Sequence, residues 1–130
     1  MIESTVIFDT NILIYYLNNQ GGEAFFSRFT AAVKSGAGIS VITRIETLGW
    51  RGHNAETIKE TTTLLALLME WPLSESVIQC CIELRQSLNI KFPDAIIAST
   101  ALITGLPLMT RNTVDFKKIP GLLLIDPFIG

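Results

Sequence analysis

Four acidic residues occur at positions in the sequence where a carboxylate could do chemistry. Asp9 directly follows an apolar run, Glu46 lies just after a second one, and Asp115 follows a third. Asp94 is the only charged residue within residues 92–109. Because removing an unpaired carboxylate from water costs several kcal/mol, each needs a capping role, a cationic partner or a metal ion.

Three or four carboxylates gathered in one place would repel one another and raise each other's pKa. A hard divalent cation relieves that repulsion, and oxygen ligands without imidazole or thiolate favour Mg²⁺ or Mn²⁺. The chain has one histidine, His53, expected on a surface loop, and its cysteines are the adjacent pair Cys80 and Cys81. A multi-histidine zinc site and a Ser–His or Cys–His catalytic machine are therefore disfavoured.

Each acidic residue also has a purely structural interpretation as a cap. Short polar side chains satisfy free backbone N–H groups at helix starts, and a carboxylate there is favoured by the helix dipole. These interpretations are an Asp9 cap on the helix near Asn11, a Thr43–Glu46 capping box, an Asp94 helix start after Pro93, and an Asn112 or Asp115 cap before Phe116.

Short apolar runs alternate with helical patterns along the chain. This alternation predicts a mostly parallel sheet covered by helices on both faces, with ligands at the carboxyl ends of the strands. The predicted strands are residues 5–8, 39–42, 106–110 and 122–125, with a brief extended piece at 71–73. The predicted helices are residues 12–17, 24–33, 43–50, 57–69, 76–88 and 94–103.

Composition limits the class of protein. The 130 residues predict one domain, and 48% hydrophobic residues exclude disorder. A net charge of -2 argues against a broad basic face for duplex DNA. No basic residue precedes Arg28, and no apolar segment reaches the roughly 18 residues of a membrane span. We therefore expect a cytoplasmic protein with no membrane association.

Four blocks of sequence resemble the PIN-domain nucleases, and most closely the VapC-type toxins of type II toxin–antitoxin systems. The acidic residues are separated by 37, 48 and 21 positions, and the blocks follow the family's order. The blocks are Phe8-Asp9-Thr-Asn11, Ile45-Glu46, Pro93-Asp94-Ala-Ile-Ile-Ala98 and Leu108-Met-Thr-Arg-Asn112-x-x-Asp115-Phe116.

The resemblance implies a three-layer α/β/α domain around a five-stranded parallel sheet. It also implies an endoribonuclease that uses Mg²⁺, or Mn²⁺, to hydrolyse phosphodiester bonds. Asp9, Glu46 and Asp94 match the family's acidic positions, as metal ligands and catalytic residues. Many relatives have Asp where this chain has Asn112, so either Asn112 or the nearby Asp115 fills the fourth position.

Other polar residues near the motifs are candidates for supporting roles. The resemblance implies that Asn11 orients Asp9 or a water on the metal. A polyanion needs a cation to enter a pocket lined by carboxylates, and Arg44 and Arg111 lie within a few residues of the motif acids. Each arginine could instead pair with a neighbouring carboxylate or remain solvated. Arg51 and Lys91 are weaker candidates.

The resemblance further implies an RNA substrate, a VapB-like antitoxin as partner, and a homodimer. The apolar segments Phe25–Phe29 and Leu64–Met69 could form an antitoxin groove or a dimer face, although plain core packing is the simpler expectation for most of their side chains. The alternative function is a non-catalytic PIN-like module that binds RNA or a partner.

Overall fold

The computed structural model describes residues 4–128. Within that range, five parallel strands form one sheet, in the order β3-β2-β1-β4-β5. The strands are β1 (Val6–Phe8), β2 (Ala37–Ser40), β3 (Met69–Trp71), β4 (Leu108–Met109) and β5 (Leu124–Ile125). The helices are α1 (Thr10–Leu17), α2 (Gly22–Lys34), α3 (Val41–Leu48), α4 (Ala55–Leu65), α5 (Glu75–Ser87), α6 (Phe92–Thr104) and α7 (Thr113–Phe116).

Two apolar cores lie on the two faces of the sheet. Because successive side chains of a strand point to opposite faces, Val6 and Phe8 of β1 enter one core and Ile7 enters the other. The first core contains side chains from α1, α2 and α4, and the second contains side chains from α5 and α6. The structure confirms the predicted three-layer α/β/α architecture with a five-stranded parallel sheet.

Local sequence explains several helix ends. A proline lies in the first turn of α6, where its missing N–H costs nothing, and the helix ends at Gly105 with φ of 74°. At the start of α4, Asn54 and Thr57 form a reciprocal capping box. Ser74 caps α5 by accepting a hydrogen bond from the backbone of Val77.

The second predicted strand is confirmed, but it lies at Ala37–Ser40 rather than at residues 39–42. The predicted Thr43–Glu46 capping box is wrong. β2 ends at Ser40, whose side chain caps α3 by accepting a hydrogen bond from the Ile42 N–H. Thr43 therefore lies inside the helix, where it is fully buried. Helix α4 also ends earlier than predicted, because residues 69–71 pair with β2 as strand β3.

Among residues 4–128, no helix has both the length and the apolar character that crossing a membrane requires.

Candidate active site

Asp9 lies at the centre of the candidate site. It directly follows β1, the middle strand of the sheet, at the point where the chain's strand order reverses between β1 and β4. Its side chain is 4% exposed and makes no capping hydrogen bond to α1. Its Oδ2 instead accepts a hydrogen bond of 2.8 Å from the Thr110 hydroxyl, at the end of β4. Asp9 therefore occupies the N-cap position of α1, as the cap interpretation predicts, but its side chain does not cap the helix.

The surroundings of Asp9 disfavour its negative charge. Burial is the largest cause, and the nearby Asp94 and Glu46 carboxylates add to it. The hydrogen bond from Thr110 acts in the opposite direction, but the net effect raises the pKa of Asp9 from 3.8 to about 6. A buried acid with a raised pKa beside other acids is typical of functional sites.

Asp94 lies in the first turn of α6, as the helix-start interpretation predicts. Burial raises the pKa of Asp94, and repulsion from Asp115 and Glu46 raises it further. The neighbouring Lys91 ammonium lowers it. Asp94 therefore lies close enough to interact electrostatically with Asp115 on one side and with Asp9 and Glu46 on the other.

Glu46 approaches the site from α3 and is exposed. Its Oε1 accepts a hydrogen bond of 2.7 Å from the Thr10 hydroxyl. The hydroxyls of Thr10 and Thr43 lie 2.9 Å apart. Because the single Thr10 proton is donated to Glu46, Thr43 donates to Thr10, and this chain of two hydroxyls holds the Glu46 carboxylate toward β1.

Asn112 and Asp115 act together at the other end of the site. The Asn112 amide donates a 3.0 Å hydrogen bond to Oδ2 of Asp115, and the Asn112 backbone N–H donates to the Thr110 hydroxyl. Thr110 therefore connects Asp9 with the Asn112 loop. The Asn112 side chain makes no capping bond to α7.

The donor set fits a hard divalent cation in chemistry, because all four acids supply carboxylate oxygens. Within residues 4–128, however, no three His, Cys, Asp or Glu side chains already form a group that could hold a metal ion. The neighbouring carboxylates contribute to the raised pKa of Asp9 and of Asp94 without sharing one ligation point.

The remaining predicted residues have different surroundings. Arg44 forms an ion pair with Glu70, with 2.5 Å between Nε and Oε1, so the alternative of a neighbouring carboxylate partner is confirmed. The Arg111 guanidinium lies over an aromatic ring, 4.4 Å from the ring centroid of Phe128. Asn11 is exposed, and among the described residues it makes no hydrogen bond to Asp9.

The sequence identifies Thr10, Thr43 and Thr110 as polar residues that follow strand ends, but it assigns them no role in the site. In the structure their hydroxyls position the acids. His53 lies in the loop between α3 and α4, as predicted. Its ring is partly buried, however, and lies within hydrogen-bond distance of the Thr57 hydroxyl and of a backbone carbonyl of α3.

The fold and site define a class of protein: a three-layer α/β/α domain with acidic residues at the carboxyl ends of its parallel strands. Residues 6–122 match the family model described as the PIN domain. No curated protein matches the chain.

Several solved structures share the architecture over nearly the whole chain. A toxin–antitoxin complex from Klebsiella pneumoniae is 33% identical over 95% of this chain and 98% of that one, with a TM-score of 0.77. VapBC2 from Rickettsia felis, bound to a DNA fragment from its promoter, is 25% identical over 93% and 97%, with a TM-score of 0.81. DNA-bound VapBC from Salmonella typhimurium is 24% identical over 96% and 99%, with a TM-score of 0.83, and shows the fold alone.

The chain belongs to the PIN domain family. Its predicted resemblance to VapC-type toxins is confirmed by the family match and by these structural neighbours. PIN domains are nucleases, so membership supports hydrolysis of phosphodiester bonds.

Proposed function

We propose that the protein is a Mg²⁺- or Mn²⁺-dependent endoribonuclease and the toxin of a toxin–antitoxin pair, acting in the cytoplasm. The observation that carries this proposal is the electrostatic interaction among four acids near the carboxyl ends of the strands: Asp9, Glu46, Asp94 and Asp115. Repulsion among these carboxylates lowers the stability of the folded protein. A bound divalent cation would offset that repulsion and could promote hydrolysis of a phosphodiester.

Each acid has a defined role in this proposal. Asp9 and Asp94, the two with raised pKa, would be the principal ligands of the cation. Asp115 would contact it directly or through water, and Glu46 would bind it or take a proton from the attacking water. When bound, the cation supplies neutralisation of phosphate charge and a more acidic water. Asn112 holds the Asp115 carboxylate in place.

The substrate is proposed to be RNA, with Arg44 and Arg111 as the candidate phosphate contacts. Of the two, Arg111 is favoured because Arg44 already pairs with Glu70. Asn11 is retained as a residue that could orient a water at the exposed mouth of the site.

An apolar surface supports the proposed antitoxin partner. Phe25, Phe29 and Leu64 are buried in the core, as the simpler expectation held, but Phe26 is 52% and Leu67 64% exposed. The two exposed side chains line one cavity between α2 and α4. We expect Leu67→Glu to abolish capture by an antitoxin segment while RNA cleavage continues.

We also propose a homodimer, which light scattering of the purified protein tests.

Cleavage of total cellular RNA by the purified protein tests the nuclease proposal. We expect discrete fragments with Mg²⁺ or Mn²⁺, none with EDTA, and none from Asp9→Asn or Asp94→Asn in any metal. Glu83→Gln is the matched control, because Glu83 is an exposed acid on α5 outside the site. Retained cutting by Asp94→Asn would contradict the assignment of the acidic site.

The second candidate, a PIN-like module that binds RNA or a partner without cutting, is favoured by one observation. Within residues 4–128 no ready-made metal-binding group exists. A binder holds RNA equally well with EDTA and with Mg²⁺ and leaves it intact, whereas a nuclease cuts RNA only with the metal.

A further inference from the structure

Arg111 lies against two neighbouring aromatic rings beside the acidic site. Its guanidinium carbon is 4.4 Å from the ring centroid of Phe128 and 5.6 Å from that of Tyr15. Arg111 directly follows Thr110, the residue that hydrogen-bonds to Asp9. Cation–π contact with these two rings therefore holds the Arg111 guanidinium near the acidic site.

The N–H donors of Arg111 remain available for a phosphate, because a guanidinium held near an aromatic ring by cation–π contact need not donate a hydrogen bond to it. Within the described residues, Arg111 is exposed and has neither an ion pair nor a side-chain hydrogen bond. By contrast, Arg44 donates to Glu70, and Arg28 and Arg85 donate to backbone carbonyls.

Phe128 is itself held in place by several contacts. Its ring stacks on Phe25 at 4.8 Å and packs edge-on against Tyr15 at 5.3 Å. Its backbone N–H donates to the Asp126 carboxylate, and the preceding Pro127 carbonyl accepts a 2.6 Å hydrogen bond from Arg28. These contacts hold the segment after β5 against α1 and α2, so the Phe128 ring has a fixed position for its contact with Arg111.

We propose that Phe128 is a positioning residue for RNA binding, which with Tyr15 holds the Arg111 guanidinium ready for a backbone phosphate of the strand at the acidic site. This inference rests on the proposed function and extends it, since it assigns a task to a segment far from the acidic motifs. Preorganisation of a long side chain reduces the conformational entropy lost on binding. Removal of the ring should weaken RNA binding without affecting the chemical step.

The first test compares Phe128→Leu with wild type in cleavage kinetics. Leucine keeps an apolar side chain against Phe25 but lacks a π face, so packing alone would be preserved. We expect KM to rise about threefold to tenfold, the range for loss of a cation–π contact, with kcat unchanged. Phe128→Tyr should restore the wild-type KM. In Arg111→Ala, a further Phe128→Leu change should have no additional effect.

Phe92→Leu is the matched control, because it makes the same substitution at an exposed ring that lies near Arg85 rather than Arg111. We expect its KM to equal that of wild type. An unchanged KM in Phe128→Leu, or a loss in Phe128→Leu that persists at full size in the Arg111→Ala background, would overturn the proposal.

A binding measurement separates this proposal from the nuclease proposal. The probe is a fluorescein-labelled single-stranded RNA titrated in EDTA at several salt concentrations. Loss of one phosphate contact should lower the slope of log K against log salt by about 0.7 in both Arg111→Ala and Phe128→Leu. If wild type binds RNA but never cuts it, the nuclease proposal fails and this comparison still decides the role of Phe128. If wild type neither binds RNA in EDTA nor cuts it with Mg²⁺ or Mn²⁺, both proposals fail.

Discussion

Thr110 donates a hydrogen bond of 2.8 Å to Oδ2 of Asp9 although 101 positions separate the two residues in sequence. The bond crosses the point where the strand order of the sheet reverses, between β1 and β4. It lowers the pKa of Asp9, which burial and the neighbouring acids nevertheless raise to about 6. Thr110 therefore keeps Asp9 closer to its ionised, cation-binding form.

Removal of the Thr110 hydroxyl should raise the pKa of Asp9 further. Thr110→Val keeps the shape but loses the donor, so we expect the Asp9 carboxyl resonance of the metal-free protein to titrate at higher pH by NMR. RNA cleavage near pH 6 should fall about tenfold, as for loss of a hydrogen bond to a charged group. Thr110→Ser is the control and should retain the wild-type titration. Identical titrations in the valine variant and wild type would contradict the role given to Thr110.

Replacement of Asp9 should stabilise the metal-free protein while abolishing activity. The folded pKa of about 6 lies above the ordinary 3.8, so the stability contributed by protonated Asp9 is fully present below pH 3.8 and lost as pH rises through 6. At pH 7.5 the charged form costs about 3 kcal/mol, at about 1.4 kcal/mol per tenfold change in the ionisation constant. We expect Asp9→Asn to gain up to about that amount in urea denaturation.

The stability gain of Asp9→Asn should depend on pH. It should shrink as pH falls from 7.5 to 4, because wild-type Asp9 then becomes neutral. A gain that stays constant over this range would show that the charge of Asp9 is not its cause. Glu83→Gln, which lies outside the site, should show no such trend.

Divalent cations should stabilise the wild-type protein independently of any cutting. At a concentration ten times the dissociation constant, binding contributes about 1.4 kcal/mol. We expect Mg²⁺ and Mn²⁺ to raise the thermal midpoint at pH 7.5, and Asp9→Asn and Asp94→Asn to lose this response. An equal rise in both variants would place the bound ion elsewhere.

The ion pair of Arg44 predicts a small effect on RNA binding. Its Nε lies 2.5 Å from Oε1 of Glu70, and the side chains are 53% and 33% exposed. Exposed pairs contribute about 0–1 kcal/mol, so we expect Arg44→Ala to lower stability by less than about 1 kcal/mol. Its effect on KM should be smaller than that of Arg111→Ala. If Glu70→Gln instead tightens RNA binding several-fold, Arg44 is a phosphate contact restrained by Glu70.

Gly38 permits the close approach of β2 and β3. A Cβ added there would lie 2.8 Å from Nε1 of Trp71 and 3.1 Å from the backbone oxygen of Met69. We expect Gly38→Ala to lower the free energy of unfolding by about 1–3 kcal/mol in urea, because the contact is overpacked. Gly105→Asn is the control, since no atom lies within 4 Å of a Cβ there and Asn tolerates its left-handed backbone.

Most of the architecture could be predicted from sequence because its signals are local. Apolar runs bounded by polar turns gave five extended segments, and the Pro93 and Gly105 punctuation located α6 to within two residues. The errors came from competition between neighbours. At residues 39–42 the β-branched run favours a strand, but Ser40 caps a helix that begins one residue later. The extended piece predicted at residues 71–73 lies at Met69–Trp71 as β3, because pairing with β2, which no local pattern shows, sets its bounds.

The sequence by itself determined the acidic residues, the alternation of strands and helices, and the family resemblance, because these depend only on residue type and on spacing along the chain. Tertiary structure decided which acids are buried and coupled, that hydroxyls of Thr10 and Thr110 hold two of them, and that Arg44 is paired whereas Arg111 lies on Phe128. Burial and long-range hydrogen bonds depend on which strands become neighbours. That choice depends on the free energy of the whole sheet and its two cores rather than on any single segment.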